Sequence, residues 1–121
     1  MSTKPLRLLD YLDHILESIS RIEEYTAGLD KEVFLEIRLV QDAVIRNFEI
    51  IGEASRSIER LDPDFVARNP DIPFLFAYDM RNVLAHAYHK VDLEIIWKTI
   101  RTDLMSFKQQ IQLAKQKAKS N

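Results

Sequence analysis

The chain contains no cysteine, only two glycines and only four prolines among its 121 residues. Without cysteine it can form no disulfide, no thiolate zinc site and no thiol nucleophile, which fits a reducing compartment. The scarcity of glycine and proline, together with 46% hydrophobic and 30% charged residues, is typical of a helix-rich globular protein and argues against disorder. We therefore expect a single all-α domain over residues 1–121, large enough for one hydrophobic core.

The chain also lacks a strong excess of charge and a long apolar run. Its formal net charge of −2 gives no overall attraction for nucleic acid or anionic lipid, so any such contact has to be local. No apolar run approaches the roughly 20 residues of a membrane span. The segment Met-Ser-Thr-Lys-Pro at the start has no apolar stretch of the signal-peptide kind. These features predict a cytoplasmic protein that does not bind membranes.

Apolar residues at three- and four-residue intervals predict four main helices. The first runs from about Pro5 to Gly28, with an apolar stripe formed by Leu8, Leu12, Ile15, Ile19 and Ile22. The second is capped by Asp30 and continues to about Leu61, and its core face consists of Val33, Ile37, Val40, Val44, Phe48, Ile51 and Ile58. Gly52 lies inside this helix, and we interpret it as a point of close helix approach, with a local kink as the alternative.

Prolines at 63, 70 and 73 predict a connector after the second helix, with one helical turn at residues 65–68. A third helix should begin near Pro73, and Asp92 has the position of an N-cap for a fourth. The core face of that fourth helix consists of Leu93, Ile96, Ile100, Leu104 and Phe107, with Trp97 beside it. Residues 115–121 are expected to be a frayed end. The pattern predicts an antiparallel up-and-down bundle of four main helices and one short one.

Residues 79–92, DMRNVLAHAYHKVD, concentrate groups that bind anions and transfer protons. Arg81 offers a charged fork that matches phosphate oxygens. His86 is a candidate general acid or base, since histidine titrates at about pH 6.5. Asn82 can orient either group, and Tyr88 offers a hydroxyl or a stacking face. This set suits work on a phosphate ester, although helix capping and dipole interactions alone would explain the same residues.

Spacing constrains how this motif can form a site. Arg81 and His86 are five residues apart, so they diverge by about 140° on a straight helix. They converge only if the helix ends or bends near His86, or if a second copy of the chain completes the site. His86 and His89 are three apart, but no carboxylate completes a ligand set, so we expect neither a metal site nor a cofactor. His14 is interpreted as a structural or surface residue. Tyr78, Phe74 and Phe76 are interpreted as core residues, with a base-stacking platform as the alternative.

At RNVLAHAY the sequence resembles the HEPN superfamily, whose signature is an arginine, four to six residues, and a histidine. Its HepT-like branch is more similar, with Arg-Asn, His-x-Tyr and Val-Asp, which are residues 81–82, 86–88 and 91–92 here. AVIRNFEIIGEA at residues 43–54 resembles the long second helix of that branch. PDIPF at residues 70–74 resembles the segment before its motif helix, with Phe74 where tryptophan is common. The resemblance covers roughly residues 5–105.

The resemblance implies a helical homodimer in which two motifs face each other across a cleft. It also implies metal-independent cleavage of RNA, in which the 2′-hydroxyl attacks the adjacent phosphate. Arg81 would hold the phosphate, His86 would act as general acid or base, and Asn82 would orient them. Proteins of this branch are toxins of toxin–antitoxin pairs, and the antitoxin is a small nucleotidyltransferase of the MNT type. That partner can transfer AMP onto the tyrosine of His-x-Tyr, which is Tyr88 here, while a structural tyrosine at a dimer interface is the alternative.

Three further charged residues are candidates for the cleft. Arg46 and Glu53 are seven apart on the second helix and share one of its faces, so they either form salt bridges within the bundle or line the cleft. Asp79 is either a surface charge or a salt-bridge partner of Arg81. Two other functions stay open at this point, namely a HEPN-fold dimer that only serves as binding partner or substrate of the nucleotidyltransferase, and a purely structural bundle.

Overall fold

The computed structural model describes residues 4–86 and 92–120, and for residues 82, 83, 85 and 86 it describes the backbone alone. Throughout these ranges the regular structure is α-helical, which confirms the predicted fold class. The helices are α1 (Lys4–Thr26), α2 (Lys31–Phe34), α3 (Arg38–Leu61), α4 (Pro63–Arg68), α5 (Phe74–His86), α6 (Leu93–Thr102) and α7 (Leu104–Ser120).

Contacts between side chains define an antiparallel bundle around α3. Lys4 at the start of α1 forms an ion pair of 3.5 Å with Asp62 at the end of α3, so these two helices run in opposite directions. Near the other end of α1, Glu23 accepts a hydrogen bond of 2.9 Å from Lys108 of α7. Asp13 pairs with Lys115 further along the same two helices, which makes them antiparallel as well. The core between them contains the complete predicted stripe of α1, namely Leu8, Leu12, Ile15, Ile19 and Ile22.

The ends of α1 and α6 follow the predicted local signals. α1 ends at Thr26, and Gly28 beyond it has a φ of 76°, a left-handed conformation that glycine adopts without steric cost. Asp92 caps α6 as predicted, because its Oδ1 accepts hydrogen bonds from the backbone N–H groups of Glu94 and Ile95 at 3.0 and 3.2 Å. The predicted helical turn in the connector is α4, and the predicted third helix is α5.

The prediction of one continuous second helix from Asp30 to Leu61 is wrong. Asp30 caps only the four-residue α2, and Ile37 then adopts an extended conformation before α3 begins. Phe34 is fully buried and packs on Trp97 with ring centroids 5.1 Å apart, whereas Val33, the predicted core residue, is 37% exposed. The side chain of Gln41 donates a hydrogen bond of 2.9 Å to the Phe34 carbonyl oxygen, which the break leaves without a helical partner. Burial of Phe34 therefore decides the path of the chain here.

The predicted fourth helix is also divided, because α6 ends at Thr102 and α7 begins at Leu104. Its apolar positions still reach the core, since Ile96, Trp97, Leu104 and Phe107 are all buried. α7 continues to Ser120, through the segment for which a frayed end was expected. Within residues 4–86 and 92–120, no helix combines the length and the apolar character that crossing a membrane requires.

Candidate functional site

The contact between α3 and α5 is the structural basis of the candidate site, and Gly52 makes it possible. A Cβ atom built on Gly52 would overlap the Cβ of Arg81 and would lie 2.8 Å from the Ala77 carbonyl oxygen. Only a hydrogen fits between the two backbones at this point, because carbon atoms in contact lie about 3.5–4.0 Å apart. α3 is uninterrupted at Gly52, so the predicted close approach is confirmed and the alternative of a kink is not. Gly52 thus sets the position of Arg81 relative to α3.

Glu53, the next residue of α3, contacts the charged end of the same arginine. Its Oε1 accepts a hydrogen bond of 3.2 Å from Nη2 of Arg81. The side chain of Arg81 is 29% exposed and that of Glu53 is 53% exposed, so the pair lies at the surface edge of the α3–α5 contact. One turn of α3 therefore contacts both the aliphatic stem and the guanidinium of the motif arginine.

A second pair of side chains connects α3 with α5 one turn away. The guanidinium of Arg56 lies over the ring of Tyr78, 5.2 Å from its centroid, and also pairs with Glu59 at 3.1 Å. A contact of this kind contributes about 0.5–1 kcal/mol at an exposed site. Since Arg56 follows Glu53 by three residues and Tyr78 precedes Arg81 by three, the two pairs fix the antiparallel register of the helices. Tyr78 is thus part of the helix contact, in keeping with its predicted structural role.

The other charged candidates lie away from this pair. Arg46 is 64% exposed and pairs with Glu49 at 3.6 Å, one turn along its own helix. Asp79 is exposed on α5, two residues before Arg81 and hence on a different side of the helix. The structure therefore brings Glu53 and Arg81 together, while it places Arg46 and Asp79 on the surface.

The remaining motif residues are described in part. Asn82 and His86 lie in α5, which is continuous from Phe74 to His86, and their backbones alone are described. Tyr88, His89 and the predicted turn after His86 lie outside the described residues. Leu84, between the polar positions, is buried at 5% exposure and anchors this part of α5 in the core. Arg81 and His86 thus belong to one continuous helix.

A groove with a volume of about 340 Å³ lies beside the α3–α5 contact. Its floor is mainly apolar and includes Ile51 and Met80, the neighbours of Gly52 and Arg81, while Asp71 and Asp103 lie on its lining. Phe76 also lines it and is 56% exposed, so the interpretation of Phe76 as a core residue is wrong, whereas Phe74 is buried as predicted. Two carboxylates make this groove unsuited to an RNA backbone. Across the described ranges, no group of three or more histidine and acidic residues has the arrangement of a metal site.

Sequence reasoning did not identify Glu53 as the partner of Arg81. The two residues are 28 positions apart, so no helical spacing relates them. The available signal was the pair Gly52-Glu53, because a glycine inside an apolar helix marks a close approach and the charged residue beside it lies at the edge of that contact. The partner could not be named without knowing which residue of α5 faces Gly52.

Comparisons with known proteins assign the chain to a family. The model of the family described as "Ribonuclease HepT-like" matches residues 15–114. The chain is 46% identical over 99 residues to a protein of Thermococcus cleftensis named "Probable ribonuclease HepT", an alignment that covers 82% of this chain and 87% of the relative. It is 35% identical over 103 residues to a protein of Methanocaldococcus jannaschii named "Putative RNase", which covers 85% and 92% of the two chains.

A further relative has a different organisation. The chain is 42% identical over 101 residues to a second Methanocaldococcus jannaschii protein, named "Gamma-glutamylcyclotransferase and putative RNase". The alignment covers 84% of this chain and 44% of that longer protein. No solved structure matches the chain. The family model spans most of the chain and includes α3, α5 and the Arg81–Glu53 pair, so the chain belongs to the HepT-like family of the HEPN superfamily.

Proposed function

We propose that this protein is an endoribonuclease that cleaves RNA without a metal ion. The observation that carries the proposal is the placement of Arg81, whose stem is fixed against α3 at Gly52 and whose guanidinium lies at the surface edge of the helix contact. A fixed, partly exposed arginine suits the binding of a phosphate group. Family membership and the ribonuclease names of two relatives support RNA as the substrate.

In the proposed reaction the 2′-hydroxyl of the substrate attacks the adjacent phosphate. The bond between phosphorus and the 5′-oxygen of the next nucleotide breaks, which leaves a cyclic phosphate on one product and a 5′-hydroxyl on the other. His86 transfers the protons as general acid or base, Arg81 stabilises the negative charge that develops on the phosphate, and Asn82 orients both groups. No cofactor takes part in this scheme.

A homodimer is part of the proposal. Arg81 and His86 belong to one continuous helix, and five helical positions correspond to a divergence of about 140°. A site shared between two copies of the motif would let one phosphate contact an arginine and a histidine from different subunits. Pairing would also gather two copies of Arg81 in one cleft, which would give a chain of net charge −2 a local attraction for RNA.

We further propose that the protein is the toxin of a toxin–antitoxin pair whose antitoxin is an MNT-type nucleotidyltransferase. Transfer of AMP from ATP to the hydroxyl of Tyr88 would release pyrophosphate and add a bulky anion two residues from His86. Such an anion would compete with RNA for Arg81 and would repel the RNA backbone. Tyr88 would then be a regulatory residue and not a catalytic one.

Purified Arg81→Ala and His86→Ala variants test the catalytic assignment. We expect each to lose at least about 100-fold in cleavage rate, because a positioned general acid or base contributes about 10²–10⁴-fold and a donor that stabilises transition-state charge about 10²–10³-fold. The assay follows single-stranded RNA in the presence of a chelator and identifies the cyclic phosphate end by mass spectrometry. Arg21→Ala and His14→Ala are matched controls, since both residues are exposed on α1.

The controls should cleave RNA like the parent protein and should elute at the same size. If the Arg81 and His86 variants also cleave like the parent, the catalytic assignment is wrong. If the parent itself leaves RNA intact while it accepts AMP, the protein is instead a non-catalytic partner or substrate of the nucleotidyltransferase.

A further inference from the structure

The aliphatic stem of Arg81 has little freedom to move. Its Cβ and Cγ lie against the backbone of Gly52, where they occupy the space that any larger residue would need. Its Nε is buried as well. The stem can therefore shift only if α3 and α5 separate, whereas the orientation of the terminal guanidinium depends on the contacts of the guanidinium itself.

Glu53 contacts the part of Arg81 that the helix contact leaves adjustable. Its carboxylate accepts a hydrogen bond from Nη2 at 3.2 Å, and it comes from the same turn of α3 that holds the stem. Because Glu53 directly follows Gly52, the helix contact keeps this carboxylate within reach of the guanidinium. The two residues thus restrict the stem and the charged end of Arg81 together.

We infer that Glu53 is a positioning residue, which orients the Arg81 guanidinium for the phosphate that the proposed ribonuclease activity requires. The inference rests on the proposed function and adds to it a residue outside the Arg-x4-His motif. Glu53 acts through Arg81 and touches neither the 2′-hydroxyl nor the leaving oxygen in this scheme. Glu53 therefore raises the fraction of molecules in which the Arg81 guanidinium has the orientation that the reaction requires.

Partial exposure explains why Glu53 positions Arg81 and does not block it. With side chains 53% and 29% exposed, the ion pair is screened by water and is weak. The Glu53 carboxylate accepts a hydrogen bond from Nη2, and an arginine presents five N–H donors in a fixed fork, so a phosphate can form two parallel charge-assisted hydrogen bonds beside that contact. The negative charge of Glu53 still repels RNA, so its removal should tighten RNA binding even as the orientation of Arg81 is lost.

The test compares Glu53→Ala with Glu53→Gln, because glutamine keeps an acceptor oxygen but removes the charge. We expect Glu53→Ala to lower kcat about fivefold, which corresponds to about 1 kcal/mol, and Glu53→Gln to keep kcat within about twofold of the parent. Both variants should show a lower KM. Glu59→Ala is the matched control, since the ion pair of Glu59 is with Arg56 of its own helix.

An NMR measurement of Arg81 makes the test independent of activity. In protein labelled with ¹⁵N-arginine, the heteronuclear NOE of the Arg81 Nε–H group should fall in Glu53→Ala and should stay near the parent value in Glu53→Gln and Glu59→Ala. The inference is overturned if Glu53→Ala leaves the NOE unchanged or leaves kcat unchanged or raised. It is also overturned if Glu53→Gln loses as much kcat as Glu53→Ala does. A parent protein that does not cleave RNA would instead overturn the proposed function, and the NMR result would still decide whether Glu53 orients Arg81.

Discussion

The substitution Gly52→Ala adds a single methyl group at the point where α3 meets the stem of Arg81. The new Cβ would overlap the Arg81 Cβ and would lie 2.9 Å from its Cγ and 2.8 Å from the Ala77 carbonyl oxygen. Normal carbon contacts are about 3.5–4.0 Å long. The two helices would therefore have to separate by about 1 Å. Backbone atoms and the first atoms of a side chain form this contact, so rotation of a flexible side chain cannot relieve it.

Two opposing contributions set the change in the free energy of unfolding. Overpacking of a tight contact costs about 1–3 kcal/mol. Replacement of a glycine in the middle of a helix by alanine raises the free energy of unfolding by about 1 kcal/mol, because alanine has the higher helix propensity. We expect a net loss of about 0–2 kcal/mol, which leaves the protein folded. The effect on cleavage should be larger, because a displacement of a catalytic group by about 1 Å can cost about 100-fold in rate.

Thermal unfolding followed by circular dichroism and the RNA cleavage assay measure the two effects. Gly28→Ala is the matched control, because a methyl group at Gly28 would have no neighbour within 4 Å and this residue lies beyond the end of α1 with a φ of 76°. Its alanine variant is destabilised by a strained backbone conformation but leaves Arg81 in place. If Gly52→Ala cleaves RNA as fast as Gly28→Ala does, the close approach does not position Arg81 and the reasoning fails.

Two further predictions concern the end of the motif. Asp92→Ala should lower the free energy of unfolding by about 0.5–2 kcal/mol, because it removes the acceptor of two backbone hydrogen bonds at the start of α6. Asp92→Asn should lower the free energy of unfolding by less, and chemical denaturation of both variants measures the difference. Incubation with the cognate nucleotidyltransferase and ATP should add the mass of one AMP to the parent chain and none to Tyr88→Phe, and an equal gain of mass by both would place the modification on another residue.

The sequence was sufficient to predict those elements whose signals are local. The stripe of α1, the glycine after it, the cap at Asp92 and the close approach at Gly52 each depend on residue types within a few positions. The break between α2 and α3 could not be predicted in this way. No glycine or proline marks residues 35–37, and the apolar spacing continues across them. The helix breaks there because Phe34 packs on Trp97, which is 63 positions away in the chain.

The candidate site shows the same division between local and distant signals. Arg81 and His86 could be singled out from their spacing and chemistry, but Glu53 could only be related to Arg46, which shares its helix face. The structure pairs Arg46 with Glu49 and Glu53 with Arg81. Which of two acidic residues on one helix reaches the motif depends on the register of α3 against α5, and that register is set by the contact at Gly52 and by Arg56 on Tyr78.

This register has a consequence for how the proposed site would work. The side of α5 that carries Arg81 is held against α3, so a phosphate can approach the guanidinium only from the exposed edge where Glu53 also lies. Position 86 is offset from that edge by about 140° around the same continuous helix. Within one chain, α3 therefore holds the arginine, while position 86 belongs to another side of α5. In the proposed dimer, a second copy of the motif would then supply the histidine that completes the site.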